Sequence, residues 1–271
     1  MVEQNNDFPK RAFIQVFDDI LTPESELVIK ELEARKTPFT RHRTEEIIAN
    51  PLPLTTEDLV VGDFDWTRMT LKQIGIVMPT PPDYPDCLKH LLRRKIRKST
   101  LGDVEILLKT EPTKVFIKPA IDTKAFSGLV ATSEDEWIDY LLGQFPRTFP
   151  IWCSELVEMV SEYRVYCVNG KMRAVCHYKG DKEAPLDLSV VEDAVKTLFE
   201  SEEGRVLAGC GIDFAVMKIG KNEDNSDKFV TGIIEVNDGY SLGTYEGLSG
   251  KDYTDMLIAR WEQLVKGKYT K

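Results

Sequence analysis

Hydrophobic and polar residues near the start of the chain follow a pattern that predicts a small α/β lobe. The apolar run 12–17 predicts a strand. Thr22 is expected to cap a helix that has Pro23 at its first position and ends near Lys36, because threonine accepts hydrogen bonds from free helical amides and proline tolerates the first turn. Further strand candidates are the runs 59–62 and 74–78. Closely spaced prolines then mark 79–83 as a linker.

Beyond the linker, helical patterns alternate with strand-like runs. The predicted elements are helices over 86–99 and 101–108 and a strand over 115–119. Ser133 is expected to begin another helix, with Glu136 at the capping-box position, and this helix should end near Gly143.

The C-terminal part of the chain carries long strand-like runs. Strands are predicted over 151–160, 163–168 and 171–178 and from Gly211 and Phe229 onward. The Asn-Gly pair at 169–170 is a strong hairpin signal. Ser189 and Glu192 predict a capping box for a helix that ends at Gly204, and the apolar positions of 253–264 predict a final amphipathic helix. Hairpins mixed with helices indicate the α+β class.

The composition is that of an ordinary globular protein. The chain has 271 residues and a hydrophobic fraction of 42%, and no apolar run approaches the ~20 residues that a membrane-spanning helix needs. Its five cysteines show no metal-type spacing, so we expect reduced thiols and a cytoplasmic location. The formal net charge of −10 argues against general affinity for nucleic acid.

One basic segment, 93–98, departs from the acidic character of the rest of the chain. Its sequence is RRKIRK. The segment could form a solvated helix face, or it could form an anion-facing patch beside a functional site. Both interpretations stay open at the level of sequence.

Two strands near the C-terminal end carry oxygen-bearing side chains that suit a metal ion. Asp213 lies at the start of one strand, and Glu235 and Asn237 lie at the end of another. Because side chains alternate along a strand, Glu235 and Asn237 point to the same face, which Asp213 can reach from a neighbouring strand. Carboxylate and amide oxygens are ligands that Mg²⁺ prefers, often together with nucleotide phosphates. The pattern therefore predicts a magnesium site in a nucleotide-dependent enzyme.

Three cationic side chains are candidates for binding phosphate. Lys118 ends a strand, and Lys124 follows in a short loop that contains a glycine. Arg164 could fork onto a phosphate oxygen and neutralise charge that develops during phosphoryl transfer. The alternatives are an exposed strand charge for Lys118, a hairpin turn for the Lys124 loop, and an ion pair with Glu162 or an edge-strand position for Arg164.

Acidic residues lie in the apolar run 153–159, which has the character of a hinge. Glu155 and Glu158 could accept hydrogen bonds from a ribose, or they could face solvent on a half-buried strand. The chain contains neither a P-loop nor the glycine-rich dinucleotide fingerprint, which excludes those two kinds of nucleotide site.

Taken in chain order, these pieces resemble the ATP-grasp superfamily. The pieces are 116–119 (FIKP), 124–128 (KAFSG), 154–157 (SELV), 162–165 (EYRV), 211–214 (GIDF) and 235–239 (EVNDG). The similarity covers about residues 90–265, and the short form resembles small bacterial and phage members whose substrates are mostly unassigned. It implies an α+β ATP-grasp fold over 83–271, with subdomains of about 83–155 and 156–271, preceded by a small α/β lobe at 1–82.

The resemblance also implies roles for the candidate residues. Lys118 would contact the α- or β-phosphate of ATP, the Lys124 loop would cover the phosphates, and Arg164 would face the γ-phosphate. The implied ligands of one or two Mg²⁺ ions are Asp213, Glu235 and Asn237. The implied contacts at the hinge are backbone groups around Leu156 and Val157 for adenine, and Glu155 or Glu158 for the ribose.

Members of the superfamily typically phosphorylate a carboxylate and then let an amine displace phosphate from the acyl phosphate. The expected activity is therefore that of an ATP- and Mg²⁺-dependent carboxylate–amine ligase acting on an amino acid, a peptide or a protein terminus. Alternatives are phosphoryl or nucleotidyl transfer to another acceptor, such as RNA bound through 93–98, and a non-catalytic ATP-binding module. Many relatives are dimers, so a homodimer is a further expectation.

The sequence departs from the family pattern in two places. After Asn237 the usual small residue, proline and glycine are replaced by Asp-Gly-Tyr, so the loop nearest the acceptor differs. The usual upstream lysine is also left open, since four residues compete for that role: Arg94, Lys95, Arg97 and Lys98.

Overall fold

The structure, a computed structural model, describes residues 8–77, 79–80, 82–121 and 125–267. It begins with a parallel three-stranded sheet in the order β2-β1-β3. Its strands are β1 (Arg11–Val16), β2 (Phe39–Arg43) and β3 (Asp58–Val61), and its helices are α1 (Pro23–Ala34), α2 (Thr44–Ala49) and α3 (Phe64–Gln73). The α/β character expected for this region is thus present.

The start of α1 follows the prediction, whereas α3 was missed. The Thr22 hydroxyl accepts a hydrogen bond from the amide of Ser25 at 3.2 Å, as expected for a cap. Asp63 caps α3 in the same way, accepting from the amide of Trp66 at 2.8 Å. The predicted strand at 74–78 is wrong, because Ile74 ends α3 and no strand follows it among the described residues of that run. The helical pattern of α3 is hard to recognise in the sequence, because polar and aromatic residues are mixed along it.

A second sheet is antiparallel, in the order β4-β7-β5-β6. Its strands are β4 (Ile96–Thr100), β5 (Lys114–Pro119), β6 (Leu129–Thr132) and β7 (Pro150–Ser154), and an apolar cluster joins it to α4 (Leu101–Thr110) and α5 (Trp137–Leu142). The predicted helix over 86–99 is wrong: a 3₁₀ helix, Asp86–Leu91, is followed by Arg93 at φ +55° and then by β4. The predicted cap at Ser133 is also wrong, because α5 begins only after Glu136.

A third sheet, also antiparallel, has the order β11-β10-β8-β9. It contains β8 (Glu158–Val168), β9 (Lys171–Gly180), β10 (Gly209–Lys221) and β11 (Asp227–Asp238), with α6 (Leu188–Glu200) and α7 (Glu202–Arg205) following β9. The predicted hairpin is confirmed, since Asn169 and Gly170 both have positive φ, at +47° and +75°. The break predicted between residues 160 and 163 is wrong, because β8 continues through these positions. The break lies instead at 155–157, between the end of β7 and the start of β8. Asp187, rather than Ser189, caps α6.

The C-terminal helix, α8 (Gly250–Lys266), joins the N-terminal lobe to the third sheet. The Trp261 indole donates a hydrogen bond to the carbonyl of Asp58 in β3 at 2.6 Å. The Arg260 guanidinium forms two hydrogen bonds of 2.5 Å with the carboxylate of Asp238, at the end of β11. One apolar cluster therefore spans α8, the N-terminal sheet and part of β8, and the domain boundary at residue 82 stays a prediction. Among the described residues, none of the helices combines the length and hydropathy that crossing a membrane requires.

Candidate nucleotide site

A cavity of about 520 Å³ lies where the second and third sheets meet the N-terminal lobe. Lys118 of β5 lines one side, and Glu235 and Asn237 of β11 line the facing side together with Arg164 of β8. Phe64, at the start of α3, lies at the end nearest the N-terminal lobe. The fold therefore brings four of the predicted site residues to a single cavity.

The register of the third sheet places charged residues in one row. Asp213 in β10 lies opposite Arg164 in β8 and opposite Glu235 in β11. Asn237 lies opposite Gly211 in the same ladder. Directly opposed residues point to the same face of a sheet, so the row faces the cavity from three adjacent strands.

Arg164 and Asp213 form a bidentate ion pair within this row. The Nε and Nη2 atoms of Arg164 donate to the two carboxylate oxygens of Asp213 at 2.7 Å each, and the Asn237 amide donates to Asp213 Oδ2 at 3.0 Å. Burial alone would lower the pKa of Arg164, but its hydrogen bonds to Asp213 raise the pKa above the ordinary value. The alternative pairing with Glu162 does not occur, because the Glu162 carboxylate accepts from Tyr178 and Lys179.

Lys118 is held between two carboxylates and is not an exposed strand charge. Its Nζ lies 2.6 Å from Oδ1 of Asp83 and 2.6 Å from Oε2 of Glu235, and 4.7 Å from the centre of the Tyr84 ring. Burial would lower the pKa of Lys118, but the charge of Glu235 and then those of its other neighbours raise it. Asp83 was missed in the sequence, where it appears only as the end of a proline-rich linker.

Two cations of the basic segment 93–98, Arg94 and Lys98, have different surroundings near the cavity. Arg94 is turned inward, donating to the carbonyls of Ile233 at 2.9 Å and Ile234 at 2.8 Å, and burial lowers its pKa. Lys98 lies opposite Trp152 in β7, which in turn lies opposite Lys118 in β5. Lys98 therefore shares the Lys118 side of the sheet, and its Nζ lies 5.2 Å from the centre of the Trp152 ring.

The predicted hinge lies between β7 and β8 and does not line this cavity. The carboxylate of Glu155 accepts from the amide of Lys95 at 2.9 Å, and its amide donates to the Lys95 carbonyl at 3.0 Å. Of the described residues that line the cavity, none comes from the set Glu155, Leu156, Val157 and Glu158. Lys124 lies outside the described residues, although Phe126 and Gly128 of the same loop line the cavity.

The predicted metal ligands offer a chemically suitable set of donors for Mg²⁺. Glu235 and Asn237 line the cavity, and Lys118 keeps the pKa of Glu235 low although burial alone would raise it. Among the described residues, no three His, Cys, Asp or Glu side chains gather into a possible metal site, so the amide oxygen of Asn237 is needed to complete the set. Two carboxylates and an amide fit a hard cation. Binding of Mg²⁺ by Asp213, Glu235 and Asn237 stays a prediction, and Asp213 also faces Arg164.

The loop after β11 forms the cavity end nearest the N-terminal lobe. Residues 241–244 of this loop form hydrogen bonds with side chains of the surrounding helices and strands; the partners are Thr67, Tyr253, Tyr166 and Glu24. The ring of Tyr240 lies 5.9 Å from that of Phe64. The sequence departs from the family pattern here, and the structure gives the loop a fixed shape with an aromatic wall.

Gly211 leaves room for the Arg164 side chain, and replacing it with alanine should be costly. A Cβ atom at this position would lie 2.6 Å from Cδ2 of Leu242 and 3.3 Å from Cδ of Arg164. We expect Gly211→Ala to lower the free energy of unfolding by about 1–3 kcal/mol, the usual cost of overpacking. Urea denaturation would measure the change, with Gly243→Ala as the control because a Cβ there comes no closer than 3.8 Å to a neighbouring atom. Equal losses in both variants would contradict the proposed crowding.

A known protein family and several solved structures resemble this chain. The sequence model of an ATP-grasp domain, family 2 of the clade designated R-two-K, matches residues 91–256. No curated protein matches the chain in sequence.

Among solved structures, D-cycloserine synthetase DcsG has a TM-score of 0.56 at 10% identity, covering 93% of this chain and 99% of its own. The RimK domain ATP-grasp protein from Sphaerobacter thermophilus has a TM-score of 0.54 at 12% identity, covering 94% and 100%. The D-alanine–D-alanine ligase from Bacillus anthracis complexed with ATP has a TM-score of 0.51 at 13% identity, covering 95% and 99%. At these identities the likeness concerns the fold.

The family match covers more than half of the chain and includes Lys118, Arg164 and Glu235. The predicted fold is confirmed, and the predicted enzyme class, an ATP-dependent ligase, is supported by the same match. The chain belongs to the ATP-grasp superfamily, as a member of family 2 of its R-two-K clade.

Proposed function

We propose that this protein is an ATP- and Mg²⁺-dependent ligase that joins a carboxylate to an amine through an acyl phosphate. The observation that carries the proposal is the single cavity in which Lys118, Arg164, Glu235 and Asn237 meet within an ATP-grasp fold. Cations on two sides of a cavity that also contains a carboxylate and an amide suit a metal-bound triphosphate.

Each of these side chains has a role that its surroundings support. The raised pKa of Lys118 keeps its ammonium charged, so that it can donate to a phosphate oxygen. The Arg164 guanidinium is fixed by Asp213 and can neutralise charge on the transferred phosphoryl group without reorganising. Glu235 and Asn237 would hold Mg²⁺, with Asp213 as the third predicted ligand. The ion, when bound, supplies positive charge to the phosphate oxygens.

The acceptor end of the cavity suits a small molecule or a peptide. Phe64, Tyr240 and Leu242 form an apolar wall there, and the anchored loop gives that wall a fixed position. The alternative of an RNA acceptor is weakened because Arg94, one cation of the basic segment, donates its hydrogen bonds to main-chain carbonyls inside the protein. The cytoplasmic location and the homodimer stay predictions.

Analysis of the nucleotide product tests the proposed ligase activity. Purified protein is incubated with ATP and Mg²⁺ and with pools of carboxylates and amines, and the nucleotides are separated. We expect ADP and phosphate that appear only when both a carboxylate and an amine are present. AMP as the product would instead favour nucleotidyl transfer. ATP binding without turnover in any pool would favour the non-catalytic module.

Replacement of Lys98 tests which cation of the basic segment assists Lys118. We expect Lys98→Ala to weaken ATP binding by roughly tenfold, the effect of one charge-assisted hydrogen bond. Isothermal titration would measure the dissociation constant. Lys109→Ala is the matched control, since Lys109 pairs with Glu105 within α4. An unchanged affinity in Lys98→Ala would exclude Lys98 from the site.

A further inference from the structure

Asp83 is fixed beside the candidate site by its main chain. Its carbonyl accepts a hydrogen bond from the amide of Val236 at 2.8 Å, an isolated bridge next to Glu235 in β11. The residue has φ +42° and is 6% exposed. The linker from the N-terminal lobe is therefore attached to the strand that carries the candidate metal ligands.

The Asp83 side chain extends in the other direction, to the second sheet. Oδ1 accepts from Nζ of Lys118 at 2.6 Å, and Oδ2 accepts from the indole of Trp152 at 2.8 Å. The two carboxylate oxygens of Asp83 thus bind side chains of β5 and β7, while its main-chain carbonyl binds β11. Asp83 connects the two sheets that enclose the cavity.

The two carboxylates around Lys118 indicate a specific role for Asp83. In the structure, Lys118 is shared between Asp83 and Glu235. The proposed function, on which this inference rests, needs Glu235 to bind a divalent cation, and Lys118 then loses one of its two partners. The remaining anchor is Asp83, because Trp152 holds its carboxylate in place.

We propose that Asp83 is a positioning residue that keeps Lys118 directed at the nucleotide phosphates when Glu235 is bound to a metal ion. Asp83 lies outside the segment matched by the family model, which begins at residue 91. It therefore adds a linker-borne carboxylate to the site formed by the matched segment.

The test compares ATP binding by wild-type protein and by Asp83→Asn, with Mg²⁺ and with a chelator. Asparagine keeps the size of the side chain, an acceptor for Trp152 and the main-chain bond to Val236, but it removes the charge. With Mg²⁺ we expect the dissociation constant of ATP to rise roughly tenfold, as for a lost charge-assisted hydrogen bond. With the chelator we expect a much smaller change, because Glu235 still holds Lys118. Asp135→Asn, which removes a carboxylate that accepts from Thr132, is the matched control.

The possible outcomes separate this inference from the proposed function. An equal loss of affinity with and without Mg²⁺ would mean that Asp83 acts only on the structure, and no loss in either condition would remove it from the site. A general loss of stability in Asp83→Asn would weaken binding in both conditions and would therefore also count against the positioning role. Failure of the wild-type protein to bind ATP in either condition would overturn the proposed function itself.

Discussion

Replacement of Glu235 by glutamine is expected to lower the rate of ADP formation by about a thousandfold, the scale for losing a key electrostatic group. The substitution keeps the side-chain volume and an oxygen that can still accept from Lys118. It removes the negative charge that a divalent cation needs and that now balances Lys118. We expect nearly normal folding, because the Glu235 side chain is 26% exposed and borders the cavity.

Initial rates over a range of Mg²⁺ concentrations would measure this effect. Glu162→Gln is the matched control, because Glu162 lies on the same sheet but accepts from Tyr178 and Lys179. A loss that higher Mg²⁺ concentrations partly restore would assign the defect to metal binding. A Glu235→Gln rate within about tenfold of wild type would contradict the proposed metal site.

The sequence could predict that Glu235 and Asn237 share one face of a strand, because this placement depends on local geometry. Glu235 and Asn237 are two residues apart in one strand, and the alternation of side chains places them together whatever the rest of the fold does. The Thr22 cap and the turn at 169–170 were predictable for the same reason, since each depends on residues adjacent in the chain. Rules that involve only residues close together in the chain were enough to predict these features.

Asp83 and the internal role of Arg94 could not be predicted in this way. Asp83 meets Lys118 across 35 positions and Arg94 meets Ile233 across 139 positions, so both contacts depend on how the sheets pack. The helix predicted over 86–99 failed for a different reason. Arg93 adopts a positive φ that a non-glycine residue rarely takes, and no pattern of charges indicates this break.

Arg164 also had a partner that its sequence neighbours did not reveal. An ion pair with Glu162, two residues away, was one alternative to the phosphate-binding role, but each of these β8 residues lies between β9 and β10 and pairs with the opposite charge that it meets there. Asp213 lies opposite Arg164 on β10, and Lys179 lies opposite Glu162 on β9. Strand order, which the sequence does not specify, decides which carboxylate neutralises the arginine.

Removal of Arg164 should produce the largest loss of stability among these variants. Asp213 is 3% exposed, and Arg164→Met would leave its carboxylate buried without the counterion. We expect the free energy of unfolding to fall by about 3–5 kcal/mol, as when one partner of a buried ion pair is removed. Urea denaturation near neutral pH would measure the loss. A change below about 1 kcal/mol would mean that Asp213 finds another partner or solvent.

The pH dependence and a double variant then separate the structural part of this pair from its proposed part in catalysis. Burial raises the pKa of Asp213, and Arg164 opposes that shift. Without Arg164 the protonated carboxyl of Asp213 is favoured in the folded state, so the stability lost in the variant, measured against wild type at each pH, should be smallest in acid and should grow as the pH rises through the raised pKa. Adding Asp213→Asn to Arg164→Met should restore much of the stability, because no buried charge remains. Its ADP formation should stay low, because the guanidinium proposed to face the phosphates and the carboxylate of one predicted metal ligand are both absent. Recovery of activity together with stability would make the pair purely structural.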